Sequence, residues 1–448
     1  MGKSWSDKLR FIGQKFSGYI FILSVILVLL SRLPFLSAGY GIDPDAWRVA
    51  KAARKIALTG EYSPSRFPGY PIQEIISSWF WEGGPRALNG ATALFSVLGF
   101  IFFALILKKM GSRDFLAAAI ALFLTPVIYL NSAVSMDYVW ALTFILGALY
   151  FILQDMPLAA GMFMGLAAGS RLTSLAMILP LANLLAKGER RKAAGSIFLF
   201  LGVSVLVGML CYLPVYSRYG MQFLSFVEGQ YPSLSYILLI SGIEIWTLPG
   251  CLVLALALFS RIIFTPRETS IPETVGKREI FSFALAVLLE TVIFLRLPYE
   301  AGYLIPALPF VFLLLARFLD RRIFLIFCTA IMVFSLAFTV GRSGLQKGAI
   351  WRNNALRKSD MAYVEKISKR ALDLSGKNIV VSGAWVNYLE VLVPWERRDS
   401  LNYTRNIDNA MVKKFTEEGF RIYYLPEEKN SLEMSLNPDS LGLKPLLQ

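Results

Sequence analysis

The sequence predicts an all-α polytopic membrane protein of about eleven transmembrane helices, followed by a small α/β domain at the C-terminal end. Three observations predict it. Apolar runs of membrane-spanning length recur between residues 16 and 341, and 56% of the 448 residues are hydrophobic. Lys and Arg gather in the short connections between alternate runs. Beyond residue 342 the composition turns to that of a soluble domain.

The spans fall at 16–36, 86–107, 115–130, 137–153, 156–170, 172–186, 194–216, 234–259, 280–296, 301–318 and 323–341. The first, SGYIFILSVILVLLSRLPFLS, is too long for a signal-peptide core and lacks a small-residue cleavage site after it, so it reads as a retained anchor. Cations cluster in KSWSDKLRFIGQK, KKMGSR, KGERRK, RIIFTPRETSIPETVGKRE and RFLDRR, which places those segments in the cytoplasm. The intervening connections carry few cations. The N-terminus is then inside and, with an odd number of spans, the C-terminus outside, in a multi-pass protein of the plasma membrane.

Two segments stand apart from this alternation. Residues 37–85 form a first outer loop far longer than a turn, and loops of that length usually carry function. Residues 342–448 contain a helical period in SDMAYVEKISKRALDL, a buried strand opening into a turn in KNIVVSGAW, and a further strand in FRIYYLPEE. The chain therefore divides into a membrane module, 1–341, and a soluble extracytoplasmic α/β domain, 342–448. The Gly-rich run GMFMGLAAGS lies inside an apolar span and reads as a helix-packing surface, not a phosphate loop.

Composition excludes several chemistries. The chain has no histidine, which removes the commonest general base and every His-containing nucleophile pair or metal site. Cys211, Cys251 and Cys328 lie singly inside apolar runs and read as small buried hydrophobes. The formal charge of +14 follows from the topology-setting loops, so it does not indicate nucleic acid. Acid–base chemistry here must rest on carboxylate, Lys or Tyr.

The stretch GIDPDAWRVAKAARKIALTG opens the long outer loop. Asp43 followed by Pro44 has the grammar of a helix start, with Asp45 one residue further in. Helical spacing puts Trp47, Ala50 and Ala53 on one side and Arg48, Lys51 and Lys55 on another, as in an interfacial helix whose cations face anionic groups. A second interfacial segment follows in PIQEIISSWFW. Asp137 at the outer mouth of the fourth span, Arg171 between the fifth and sixth, and Arg296, Glu300 and Tyr303 around the turn after the ninth share one predicted depth. Several ionisable groups at one depth on one side suggest a polar cavity. Glu300 itself reads as an exposed turn acid or a partner of Arg296.

The order of these features resembles the GT-C glycosyltransferases that use polyprenyl-phosphate sugars, the superfamily of the lipid A aminoarabinose transferases and protein O-mannosyltransferases. The resemblance rests on SRLP closing the first span, the acidic start of a helix running from Asp45 to Gly60, and SRFPGYP before an aromatic-rich helix. It continues in Asp137, in Gly161, Gly165 and Arg171, and in YLIPALP from Tyr303 to Pro309, covering residues 16 to about 312. Two positions depart from the pattern: Ala46 stands where many members have Glu, and Arg66 replaces the usual Lys.

The resemblance implies transfer of a hexosyl or pentosyl group from a polyprenyl-phosphate donor to an acceptor hydroxyl of a lipid, glycan or protein on the outer face, with inversion. It makes Asp45 the base, with Asp43 the alternative. Asp137 would orient the acceptor or hold an arginine, while Arg66, Arg171, Arg296 and Tyr303 would bind the donor phosphate. No cofactor is required, although the D-x-D of Asp43 and Asp45, with Asp137 as a third oxygen ligand, is compatible with a divalent metal. The same outer ion pairs would serve a secondary transporter or a lipid-linked-sugar flippase, but the long first loop and the outer C-terminal domain favour a transferase.

Overall fold

The computed structural model describes residues 5–225, 230–265, 268–273, 275–341, 344–425 and 444–446, with side chains from residue 18 onward. Each predicted span contains helix. Among the described residues, four helices are long and apolar enough to cross a membrane: Gly18–Phe35, Trp81–Lys109, Arg190–Leu224 and Ala301–Phe318. Shorter apolar helices cover Phe115–Leu124, Tyr138–Leu153, Pro157–Ser170 and Leu172–Leu185.

Three expectations are corrected. The eighth span is not one rod: Leu234–Trp246 and Leu248–Ile263 meet at 88°. Pro249 has no N–H to continue the helix, and Thr247, at φ 64°, turns the chain and caps the new helix through Gly250 N at 3.3 Å. The third span breaks at Thr125, before Pro126, for the same reason. The last helix, Arg321–Leu336, stops short of 341, because Phe338–Gly341 pairs antiparallel with Gly344–Lys347 in a hairpin.

The span ends sort into two groups. On the side with the cation-rich loops, Arg321 pairs with Asp114 at 2.9 Å, Lys187 with Asp155 at 2.6 Å, and Arg113 with Glu268. At the other end lie the long first loop, Asp137, Arg171 and Glu300. Packing between the helices follows small residues. A Cβ added at Gly161, Gly165 or Gly169 would strike the helix Arg190–Tyr219 at 2.9 Å or less, so GMFMGLAAGS is a helix-packing surface. The SRLP arginine is also structural. Buried Arg32 donates to Phe123 O at 2.6 Å and Ser132 Oγ at 3.2 Å, fastening the first span to the broken third.

The C-terminal segment folds on the same end as Asp137. Helix Ala349–Leu372 leads into a four-stranded parallel sheet in the order Leu401–Thr404, Asn378–Val381, Arg421–Tyr424, Lys444–Pro445. Asn378–Val381 is fully buried at its centre, which is why NIVV reads as a continuous apolar run instead of an alternating one.

Candidate functional site

The long first loop builds most of the site. Asp43 caps the helix Pro44–Thr59 by accepting from Asp45 N at 2.8 Å, and Gly60 closes the helix in the left-handed region at φ 70°. The Ala-rich face, with Trp47, Val49 and Ala53, is buried. The carbonyls leading into Asp43 are all held: Ala38 O and Gly39 O by Arg357 at 3.1 and 2.9 Å, Tyr40 O by Ser135 N at 3.0 Å, and Gly41 O by Trp47 Nε1 at 2.9 Å. Ile42 O accepts from the Tyr388 hydroxyl. Arg357 and Tyr388 belong to the C-terminal domain, which therefore fixes the turn that presents both aspartates.

The basic face of that helix, expected from the sequence to face anionic groups, meets the C-terminal domain through two of its cations. Arg48 Nε donates to Asn387 Oδ1 at 3.2 Å, Lys51 pairs with Glu390 at 2.7 Å, and Lys55 lies 3.4 Å from Ser63 Oγ. Arg54 donates to the carbonyls of Glu390, Val391 and Val393 at 2.7–3.2 Å. Amphipathic spacing shows that a basic face exists. It does not distinguish a headgroup layer from a docked domain.

The cluster itself is a chain of ion pairs. Arg66 Nε meets Asp45 Oδ2 at 2.9 Å and its Nη2 meets Asp137 Oδ1 at 2.8 Å; Arg171 Nη1 meets Asp137 Oδ2 at 2.6 Å. Arg48 Nη1 takes Asp45 Oδ1 at 3.0 Å. Asp137 is completely buried, and both its oxygens are taken by guanidinium groups. Aromatic rings enclose the cations: Arg66 lies 4.0 Å from the Tyr70 ring centre, and Arg171 4.3 and 4.7 Å from those of Tyr138 and Tyr303. One donor remains, because Arg66 Nη1 is buried without a hydrogen-bond partner.

Glu74 shapes the loop that carries Arg66. This buried carboxylate accepts from Ser65 N at 2.7 Å, Tyr70 N at 3.1 Å and the Tyr62 hydroxyl. Sequence reasoning missed Glu74, Tyr70 and Tyr138. Only the single charge in an otherwise uncharged helix, PIQEIISS, offered a signal.

Glu300 is not an exposed turn acid. It is half-buried, accepts from the Tyr138 hydroxyl, and approaches Asp43. Oxygens of Asp43, Asp45 and Glu300 lie within 4.8 Å of one another, so the third carboxylate beside the D-x-D pair is Glu300, not Asp137. Burial first, and then the neighbouring Asp43, push the Glu300 carboxyl up to about 7. Burial and the Asp45 charge likewise raise Asp43. Arg296 is exposed, as the last residue of the helix Lys277–Arg296.

A long first loop carrying two short helices thus meets a bundle of apolar helices, with buried arginines around one aspartate where the two join. The chain is similar to the solved structure of ArnT from Cupriavidus metallidurans bound to undecaprenyl phosphate, with a TM-score of 0.62 and 14% identity over 90% of this chain and 88% of that one. It is similar also to the apo state of the same protein, with a TM-score of 0.50 and 15% identity over 81% and 66% of the two chains. At these identities the likeness is one of fold alone. No protein-family model matches the chain, and no curated protein matches it.

Proposed function

We propose that this protein is an integral membrane glycosyltransferase that moves a sugar from a polyprenyl-phosphate donor to an acceptor hydroxyl on the outer face, with inversion at the anomeric carbon. The observation that carries it is the pair of buried guanidiniums on Asp137, one of which, Arg66, keeps an unpartnered N–H. A phosphate oxygen is the ligand such a group is built to fork onto. The undecaprenyl phosphate bound by the ArnT of the same fold supports this choice of donor. In this reading the N-terminus is cytoplasmic and the C-terminal domain extracytoplasmic.

Asp45 serves as the base. In the free site Arg66 covers its Oδ2. A donor phosphate competes for that guanidinium, and as Arg66 turns to the phosphate, Asp45 Oδ2 is uncovered for the acceptor proton, while Arg48 stays on Oδ1. The acceptor oxygen bonds to the anomeric carbon as the bond to the phosphate oxygen breaks, and the polyprenyl phosphate leaves with the electron pair. Arg66 and Arg171 meet the charge that develops on it, so the reaction needs no metal. Loss of either donor costs about a hundredfold in rate. Asp137 holds the two arginines at a fixed separation, and the Tyr138 and Tyr303 rings keep Arg171 from rotating away.

The test is a transfer assay in which the purified protein receives a radiolabelled polyprenyl-phosphate sugar and membrane extract as the acceptor source. Time-dependent release of polyprenyl phosphate with label appearing in a second product supports the reading. Label that stays on the donor while the intact lipid crosses the bilayer contradicts it.

A further inference from the structure

A cavity of about 680 Å³ opens beside the carboxylate cluster. Asp43, Glu300 and Tyr138 line it, whereas Arg66, Asp137 and Arg171 do not. Its outer wall is the helix Leu234–Trp246, and that wall is irregular in two places. Leu239–Ile243 is a π turn, and Thr247 sits at φ 64°, a conformation that costs a β-branched residue energy. Such features persist where surrounding structure maintains them, and they concentrate at functional sites. Both line the cavity.

Charge divides the two sides of Tyr138. The side of Arg66 and Arg171 is cationic. Among the described residues the cavity presents three carboxylates, Asp43, Glu244 and Glu300, against one cation, Arg352, whose Nη1 is engaged by Gln346 Oε1 at 2.7 Å. The remaining wall is mostly apolar, and Tyr236, Leu239 and Ile243 are exposed at its edge. That helix belongs to a bent pair apolar enough to form a span.

We propose that this cavity is the acceptor site, and that it takes a hydroxylated amphipathic molecule that carries no phosphate. The proposal rests on the transferase reading above and names its acceptor class. Carboxylates accept hydrogen bonds from hydroxyls and repel a phosphate, so the two substrates are sorted by charge across Tyr138. The apolar wall takes the acceptor's hydrocarbon part and the acidic edge takes its hydroxyl end, within reach of the base.

The test uses the full-length protein in phosphatidylcholine nanodiscs with two photoreactive probes that share one diazirine-bearing hexadecyl chain, a β-glucoside and a monophosphate. Mass spectrometry maps the label. The glucoside is expected to mark 239–247 and 349–356 at least about tenfold more than the phosphate does, the penalty for a like charge beside these carboxylates. Ile243→Trp, at an exposed edge position, should cut glucoside labelling there and leave undecaprenyl phosphate binding unchanged. Equal or stronger labelling of these segments by the phosphate probe, or glucoside labelling unaffected by Ile243→Trp, would overturn the proposal. Undecaprenyl phosphate binding is measured on the same nanodiscs. Its failure would count against the donor reading alone, and the labelling contrast would still decide the cavity.

Discussion

One guanidinium joins two parts of the chain far apart in sequence: Arg66 holds Asp45 at 2.9 Å and Asp137 at 2.8 Å. The long first loop and the fourth apolar helix thus meet through a single side chain. A lysine has one ammonium and cannot present that fork. Arg66→Lys should lower kcat by about a hundredfold, with the folded protein retained, because the phosphate loses its planar donor pair. A kcat unchanged in Arg66→Lys would remove the arginine from the donor site.

The two aspartates of the loop have different surroundings, and their variants should part accordingly. Asp45→Asn should abolish transfer while polyprenyl phosphate still binds. Asp43→Asn keeps an oxygen to cap Asp45 N and should retain part of the activity. Comparing kcat and donor binding for the pair decides between them. An active Asp45→Asn beside a dead Asp43→Asn would transfer the base role to Asp43.

Glu300 gives a pH signature. Its folded carboxyl titrates near 7, above the usual value near 4.5. Between those values the folded state binds more protons than the unfolded, so stability falls as pH rises from about 5 to 7. Glu300→Gln removes the titrating group, and thermal unfolding across that interval should show a flatter profile than in the wild type.

The C-terminal domain should matter to catalysis through two residues that are remote from it in sequence. Arg357→Ala takes the side-chain donor from Ala38 O and leaves Gly39 O to Asn89 Nδ2 alone, at a cost of about 1–3 kcal/mol. Exchange of the amides in 38–48 should rise and kcat should fall, with donor KM little changed. Unchanged exchange would show that the turn holds itself.

Transfer should persist in excess chelator, since Arg66 and Arg171 carry the leaving-group charge. Activity lost to chelator and restored by a divalent ion would make Asp43, Asp45 and Glu300 a metal site, their spacing permitting one.

Much of this was legible in the residues. Apolar period and loop charge located the helices, because a membrane span must be long and apolar wherever it lies. Asp43, Asp45, Asp137 and Arg171 stood out because ionisable groups at span ends are sparse enough to notice. Local pattern could not show what lies opposite a residue. Arg48 and Lys51 are cations on a helix whatever they face, and only the fold puts Asn387 and Glu390 before them. Arg296 and Arg171 look alike at span ends, yet one is exposed and the other lies between two tyrosine rings. Glu300 sits in a turn sequence, and its burial against Tyr138 and Asp43 is a tertiary fact.

The most direct measurement is mass spectrometry of lipid bound to the purified wild type and to a variant carrying both Arg66→Ala and Arg171→Ala. The account predicts a polyprenyl phosphate or its sugar derivative on the wild type and its loss from the double variant. Equal retention of that lipid by both proteins, or its absence from a wild type reconstituted with it, would contradict the account.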